Sequence, residues 1–114
     1  MSNFKIISDS DLRSVKITQL AFRAINHKLR QQIVAIIDEK GESIVTDLYV
    51  KLRIEQSVAS QHLAILRKAG LVKVRRDGKF ILYSINKPMF DEVVRISNSY
   101  INSLSTIKIN PYNR

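Results

Sequence analysis

The stretch from Leu52 to Ile85 constrains this chain more than any other, because a helical apolar pattern ends there at one glycine and a tight-turn signal follows. Val58, Leu63 and Leu66 fall near helical spacing and supply an apolar face. Ser57, Ser60 and Gln61 fill the opposite face with short hydrogen-bonding groups. Gly70 stands where the helix should stop, since glycine adopts the left-handed backbone just past a last turn at little cost. Two strands follow over about Val72 to Ile85, joined by Asp77-Gly78. A two-residue loop at those positions sets Arg76 opposite Lys79, Val74 opposite Ile81 and Val72 opposite Tyr83.

Elsewhere the spacing predicts four more helices. Ser8, Asp9 and Ser10 offer caps for a first helix to about Ile25, with Leu12, Val15, Leu20, Ala21 and Ala24 as its apolar face. Asn26 is positioned to cap a second, His27 to about Lys40, where Leu29, Ile33, Ile36 and Ile37 repeat and Gly41 ends the run. A short third helix covers about Ile44 to Leu52, with Ser43 or Thr46 as its cap. Gln56 to Ala69 is the fourth. Pro88 suits the first turn of a fifth, about Lys87 to Leu104. The fold class is therefore mainly α with a small β-hairpin, a winged helix-turn-helix in the order α-α-α-α-β-β-α. Residues 1–8 read as a flexible N-terminus, 9–104 as one domain, and 105–114 as a C-terminal tail.

That order assigns a task to the fourth helix. A helix that reads DNA packs one face on its own domain and leaves short polar groups to meet base edges in the major groove. The charge agrees: 19 Lys and Arg against 10 Asp and Glu leave a net +9, which favours a polyanionic partner. Between positions 67 and 79 stand Arg67, Lys68, Lys73, Arg75, Arg76 and Lys79, opposed only by Asp77, which is a localised footprint rather than a uniform coat. Candidate DNA-binding residues are Gln56, Ser57, Ser60, Gln61, His62, Arg67, Lys73, Arg75, Arg76 and Lys79. Ser57, Ser60 and Gln61 would meet bases, His62 would pack or contact phosphate, and Arg76 and Lys79 at the hairpin tip would meet the backbone.

The fifth helix carries Met89, Phe90, Val93, Val94, Ile96, Tyr100, Ile101 and Leu104, more apolar surface than a domain of this size buries alone. A homodimer would cover the excess, with Leu12, Val15, Val93, Val94, Ile96, Tyr100, Ile101 and Leu104 at its interface.

The pattern resembles the ArsR/SmtB family of bacterial winged-helix repressors over roughly residues 20–104. The resemblance rests on Ser60-Gln61-His62-Leu63, Leu66 to Val72, and Arg76-Asp77-Gly78-Lys79-Phe80. Ala24 to Arg30 also resembles the family's A-D-P-T-R-L-R segment, with Ile25 to Lys28 substituted. Membership would imply a homodimer built on the first and last helices, an operator of two inverted half-sites, and repression by blocking a promoter. Departures are informative. Where the family's metal sensors carry C-V-C-D-L, this chain has Ile44-Val45-Thr46-Asp47-Leu48. Positions matching a second metal site on the last helix are Lys87, Met89, Tyr100 and Ser103, a poor ligand set for zinc. No metal site and no cofactor are expected. Arg53 stands near the turn glycine usual between the third and fourth helices, which predicts either backbone strain there or a slightly different turn.

No catalytic constellation stands out. The chain has no cysteine, no H-E-x-x-H, and only 3 glycines, too few for a phosphate-cradling loop. An enzyme is not expected. No apolar run approaches a membrane span and no signal-peptide pattern opens the chain, so a cytoplasmic location is expected. The expected function is that of a sequence-specific double-stranded DNA-binding regulator. The alternative is a non-specific nucleoid-type or RNA-binding protein, for which charge alone would suffice. The effector is not legible.

Overall fold

The computed structural model describes residues 9–107, with the side chains of residues 10, 11, 100, 101 and 103–107 left outside the description. The described chain forms α1 (Asp9–Ile25), α2 (Lys28–Lys40), α3 (Val45–Leu52), α4 (Gln56–Lys68), β1 (Val72–Asp77), β2 (Phe80–Ile85) and α5 (Lys87–Ile107). This is the expected order, and α5 continues past the expected end at Leu104. The segments read as a flexible N-terminus and most of the tail, residues 1–8 and 108–114, lie outside the described residues.

Helix ends explain the boundaries. The cap of α2 is His27 rather than Asn26: its Nδ1 accepts from the backbone N–H of Leu29 at 3.1 Å. Gly41 closes α2 with φ 85°, its N–H donating to Ile37 at 2.8 Å. Neither Ser43 nor Thr46 caps α3. Ile44 holds the cap position without a side-chain bond, and the Ser43 hydroxyl donates to the carbonyl of Ile44.

Helices α3 and α4 stop in the same way. After α4, Gly70 takes φ 79°, its N–H donates to Arg67, and Leu71 N–H reaches back to Leu66 at 3.0 Å. After α3, Arg53 takes φ 56° and ψ 45°, its N–H donates to Val50, and Ile54 N–H reaches back to Tyr49 at 3.1 Å. Both are the paired reverse bonds that satisfy a helix's last carbonyls. The second turn places arginine where the first uses glycine, as its sequence implied.

The hairpin differs from expectation by one turn position. Asp77 pairs with Phe80, Arg76 with Ile81, Val74 with Tyr83 and Val72 with Ile85, so Gly78 and Lys79 form the loop. Gly78 has φ 61°, and Lys79 is not among the positive-φ residues. Glycine at the first loop position with only that residue at positive φ fits a type II′ turn, whereas the Asp-Gly reading presumed a type I′ turn with glycine second. Each partner therefore shifts by two residues. A shift of two preserves which face each side chain occupies. Beyond the hairpin, Ser43 bonds to Tyr83 in both directions, at 2.9 and 2.8 Å, as a short third rung on β2.

The core draws on all five helices and β1, with Tyr83 and Ile85 of β2 half-buried against it. Ile33 and Ile37 of α2, Leu48 of α3, Leu63 and Leu66 of α4, and Leu71 are at most 1% exposed, and Ala21, Ala24, Val72 and Val93 join them. Such a shell burying one face of α4 fixes the direction of the other. Two expectations for apolar faces need correction. On α1 the inward stripe is Thr18, Ala21 and Ala24, while Leu12, Val15 and Leu20 stay more than 40% exposed. On α5, Val93 is 8% exposed within its own chain. Asn86 fastens the start of α5 to the end of α4, donating from Nδ2 to the Gly70 carbonyl at 2.7 Å. No helix among the described residues is long and apolar enough to cross a membrane.

Candidate nucleic-acid interface

Leu63, Leu66 and Ala59 turn one side of α4 into the core, which leaves Gln56, Ser57, Ser60 and Gln61 exposed along its first turns. Ala64, Arg67 and Lys68 continue that surface to the last turn. The polar side chains are short and the helix is anchored, the two conditions for reading bases without losing much side-chain entropy.

The hairpin adds a second positive arm. Lys73, Arg75, Arg76 and Lys79 are all exposed. The observed register separates them, with Lys73 and Arg75 on one face of β1 and Arg76 on the other. Lys79 lies in the loop itself, its ammonium 5.5 Å from the centre of the Phe80 ring. Arg75 is already engaged: its guanidinium forks onto Glu42, with Nε to Oε2 at 2.6 Å and Nη2 to Oε1 at 2.8 Å. That hydrogen-bonded fork holds the Glu42 carboxyl below its ordinary pKa and raises that of Arg75. Among the described residues Arg67, Lys68, Lys73, Arg76 and Lys79 have no carboxylate partner.

His62 departs from the other members of the set. It is half-buried on the inner edge of α4, and its Nδ1 lies 3.1 Å from Nη1 of Arg30. Its ring centre is 4.7 Å from that of His27. Burial first, then the charges of His27 and Arg30, lower its pKa from the ordinary value. Arg30 entered the sequence reading only as the end of the Ala24 to Arg30 segment, and Glu42 did not enter it. The Glu42–Arg75 pair spans 33 positions, and no local spacing signals it.

The candidate dimer residues divide. Leu12, Val15 and Val94 are exposed and Ile96 is half-buried, while Val93 faces the chain's own core. The side chains of Tyr100, Ile101 and Leu104 lie outside the described residues. Ile17, Leu20 and Phe22 are exposed as well, at 49%, 44% and 43%. Phe22 extends the stripe begun by Leu12 and Val15 at helical spacing, a signal that was present in the sequence.

Comparison with known proteins places this arrangement. Residues 27–74 match the family described as bacterial regulatory protein, arsR family. The chain is 32% identical over 80 residues to an uncharacterised HTH-type transcriptional regulator of Mycobacterium tuberculosis, covering 70% of each. Among solved structures it is similar to the transcriptional repressor PagR of Bacillus anthracis, at 28% identity and TM-score 0.65, covering 75% of this chain and 97% of that one. It also shares its fold with a homodimeric winged helix-turn-helix DNA-binding domain from Mycobacterium bovis, at 20% identity and TM-score 0.68, covering 96% and 99%. This chain belongs to the arsR family of bacterial regulatory proteins, DNA-binding transcriptional regulators with a winged helix-turn-helix fold.

Proposed function

We propose that the chain is a sequence-specific repressor that acts as a homodimer on an inverted-repeat operator in the cytoplasm. The observation that carries this reading is the anchored α4, whose exposed first turns present Gln56, Ser57, Ser60 and Gln61 beside a hairpin bearing Arg76 and Lys79. In this reading α4 enters the major groove and the hairpin tip lies along the backbone or minor groove. Base contacts supply preference, and Arg67, Lys73, Arg76 and Lys79 supply affinity that any duplex shares.

The exposed stripe of Leu12, Val15 and Phe22 on α1, with Val94 on α5, supports pairing of two copies through those helices. A twofold dimer presents two copies of α4 and so selects two inverted half-sites. Operator occupancy then blocks a promoter; transcriptional repression is the activity named for the similar PagR of Bacillus anthracis. Ile44 and Thr46, with Lys87 and Met89, support a regulator whose operator release does not depend on metal at the family's sensing positions.

Selection of bound duplexes from a random-sequence pool tests the reading. The expected product is an inverted repeat with half-site centres about 10 base pairs, or a multiple of that, apart. A pool that shows no enrichment after repeated rounds would instead identify a non-specific binder held by charge.

A further inference from the structure

Arg30 belongs to α2, yet its guanidinium serves two other helices. Nε and Nη2 donate to the carbonyls of Ala24 and Arg23 in the last turn of α1, the second at 3.3 Å. Nη1 lies 3.1 Å from Nδ1 of His62, on the DNA-reading helix. A guanidinium has donors only, so His62 must meet it with an unprotonated Nδ1 and carry its proton on Nε2. His27 is under the same constraint, because its Nδ1 accepts the Leu29 N–H. The contact therefore sets a neutral His62 imidazole against one cation.

Protonation of His62 reverses that chemistry. Its Nδ1 becomes a donor aimed at a donor, and a second positive charge stands beside Arg30. The surroundings of His62 all oppose the charge: burial first, then His27 at the cap of α2 and Arg30 within it. From α1 the contact with Arg30 is made by the carbonyls of Arg23 and Ala24. On α4 itself the neighbours one turn away, Val58, Ala59, Ile65 and Leu66, carry no charge.

We propose that Arg30 is a positioning residue for sequence reading: it fixes α4 against the C-terminal turn of α1 through neutral His62, and acid releases that link. The proposal rests on the regulator reading above. Its direction is distinctive. Added positive charge on a DNA-binding protein ordinarily strengthens its hold on a polyanion. Here the same proton lowers the preference for one sequence while binding to any duplex is kept or strengthened. The link also joins the helix that carries the exposed dimer stripe to the helix that reads bases.

The test uses the full chain in a His27→Asn background, which keeps a capping side chain and leaves His62 the only histidine. Its probes are the duplex recovered from the random pool and a scrambled counterpart, from pH 8 to pH 5.5, over the range in which far-UV circular dichroism is constant. The ratio of specific to scrambled affinity should fall toward acid by at most about tenfold, the bound for excluding one proton from a group that titrates no higher than an ordinary imidazole. Adding His62→Asn should abolish the pH dependence, whatever ratio that variant has at pH 8. Arg30→Gln should lower the ratio at pH 8, flatten the profile, and raise the His62 pKa read by imidazole NMR. A retained acid limb in the His62→Asn protein, or an undiminished ratio at pH 8 in the Arg30→Gln protein, overturns the proposal. Selective binding with a flat profile in the parent also overturns it and leaves the regulator reading standing. Absence of any selective duplex at pH 8 defeats that reading itself.

Discussion

Arg53 is the only non-glycine residue in the described chain held at positive φ, at the turn that sets α3 against α4. A side chain in that region costs roughly 1–2 kcal/mol relative to the right-handed helical backbone. Glycine removes the clash but has more freedom to lose on folding, so part of the gain is offset. Arg53→Gly should stabilise the protein by about 0.5–1 kcal/mol, measured as a higher urea midpoint with unchanged slope. Unchanged or lower stability would show that the arginine contributes a compensating contact. The strain was legible because the sequence breaks a glycine habit at one position. The His62–Arg30 contact was not, because residues 32 positions apart meet only once α2 and α4 have packed.

At the scale of elements, the hairpin is two devices. Lys79 and Arg76 are open at the tip, and Arg75 is held back by Glu42. Both partners of that pair are largely exposed, so its contribution to stability is small. It has a sign nonetheless. A carboxyl whose folded pKa is depressed contributes above its unfolded pKa, near 4.5, and that contribution is lost as pH falls through the folded value. The stronger consequence is for DNA. Glu42→Gln removes the charge that engages Arg75, and should raise affinity for a scrambled duplex and steepen its salt dependence by up to about one unit per subunit. An unaltered salt slope would mean that Arg75 stays out of reach of phosphate. Turn chemistry accounts for what the sequence revealed of this element. Asp77-Gly78 marked the reversal correctly, but two neighbouring two-residue loops both fit a glycine at 78. Both loops put Tyr83 and Ile85 on the core side, so side-chain periodicity could not choose between them.

For the whole molecule, α1 decides whether one copy is enough. Its inward stripe is small, Thr18, Ala21 and Ala24, so its larger side chains point away from the chain's own core. Sequence periodicity alone could not divide them, because apolar residues surround much of that helix and either stripe satisfies helical spacing. Val93 shows the converse: counted with the dimer set, it belongs to the monomer's interior. The two therefore make opposite predictions. Val15→Glu should halve the sedimenting mass at micromolar concentration and leave helix content intact. Val93→Ala should cost about 1–3 kcal/mol of stability through loss of buried methyl groups and leave the sedimenting mass unchanged. Dimer loss in the second variant with retention in the first would reverse the assignment of faces.

In the proposed regulator α4 reads bases and the hairpin holds backbone, and binding across a salt series measures that division. With the recovered operator and a scrambled duplex, Gln61→Ala should cost about 1–3 kcal/mol on the operator, leave the scrambled duplex nearly unchanged and keep the salt slope. Arg76→Ala should weaken both duplexes alike and lower the slope by about one per subunit. If Gln61→Ala weakened both equally while Arg76→Ala erased the preference, bases would be read by the hairpin and backbone held by α4, and the account would be contradicted.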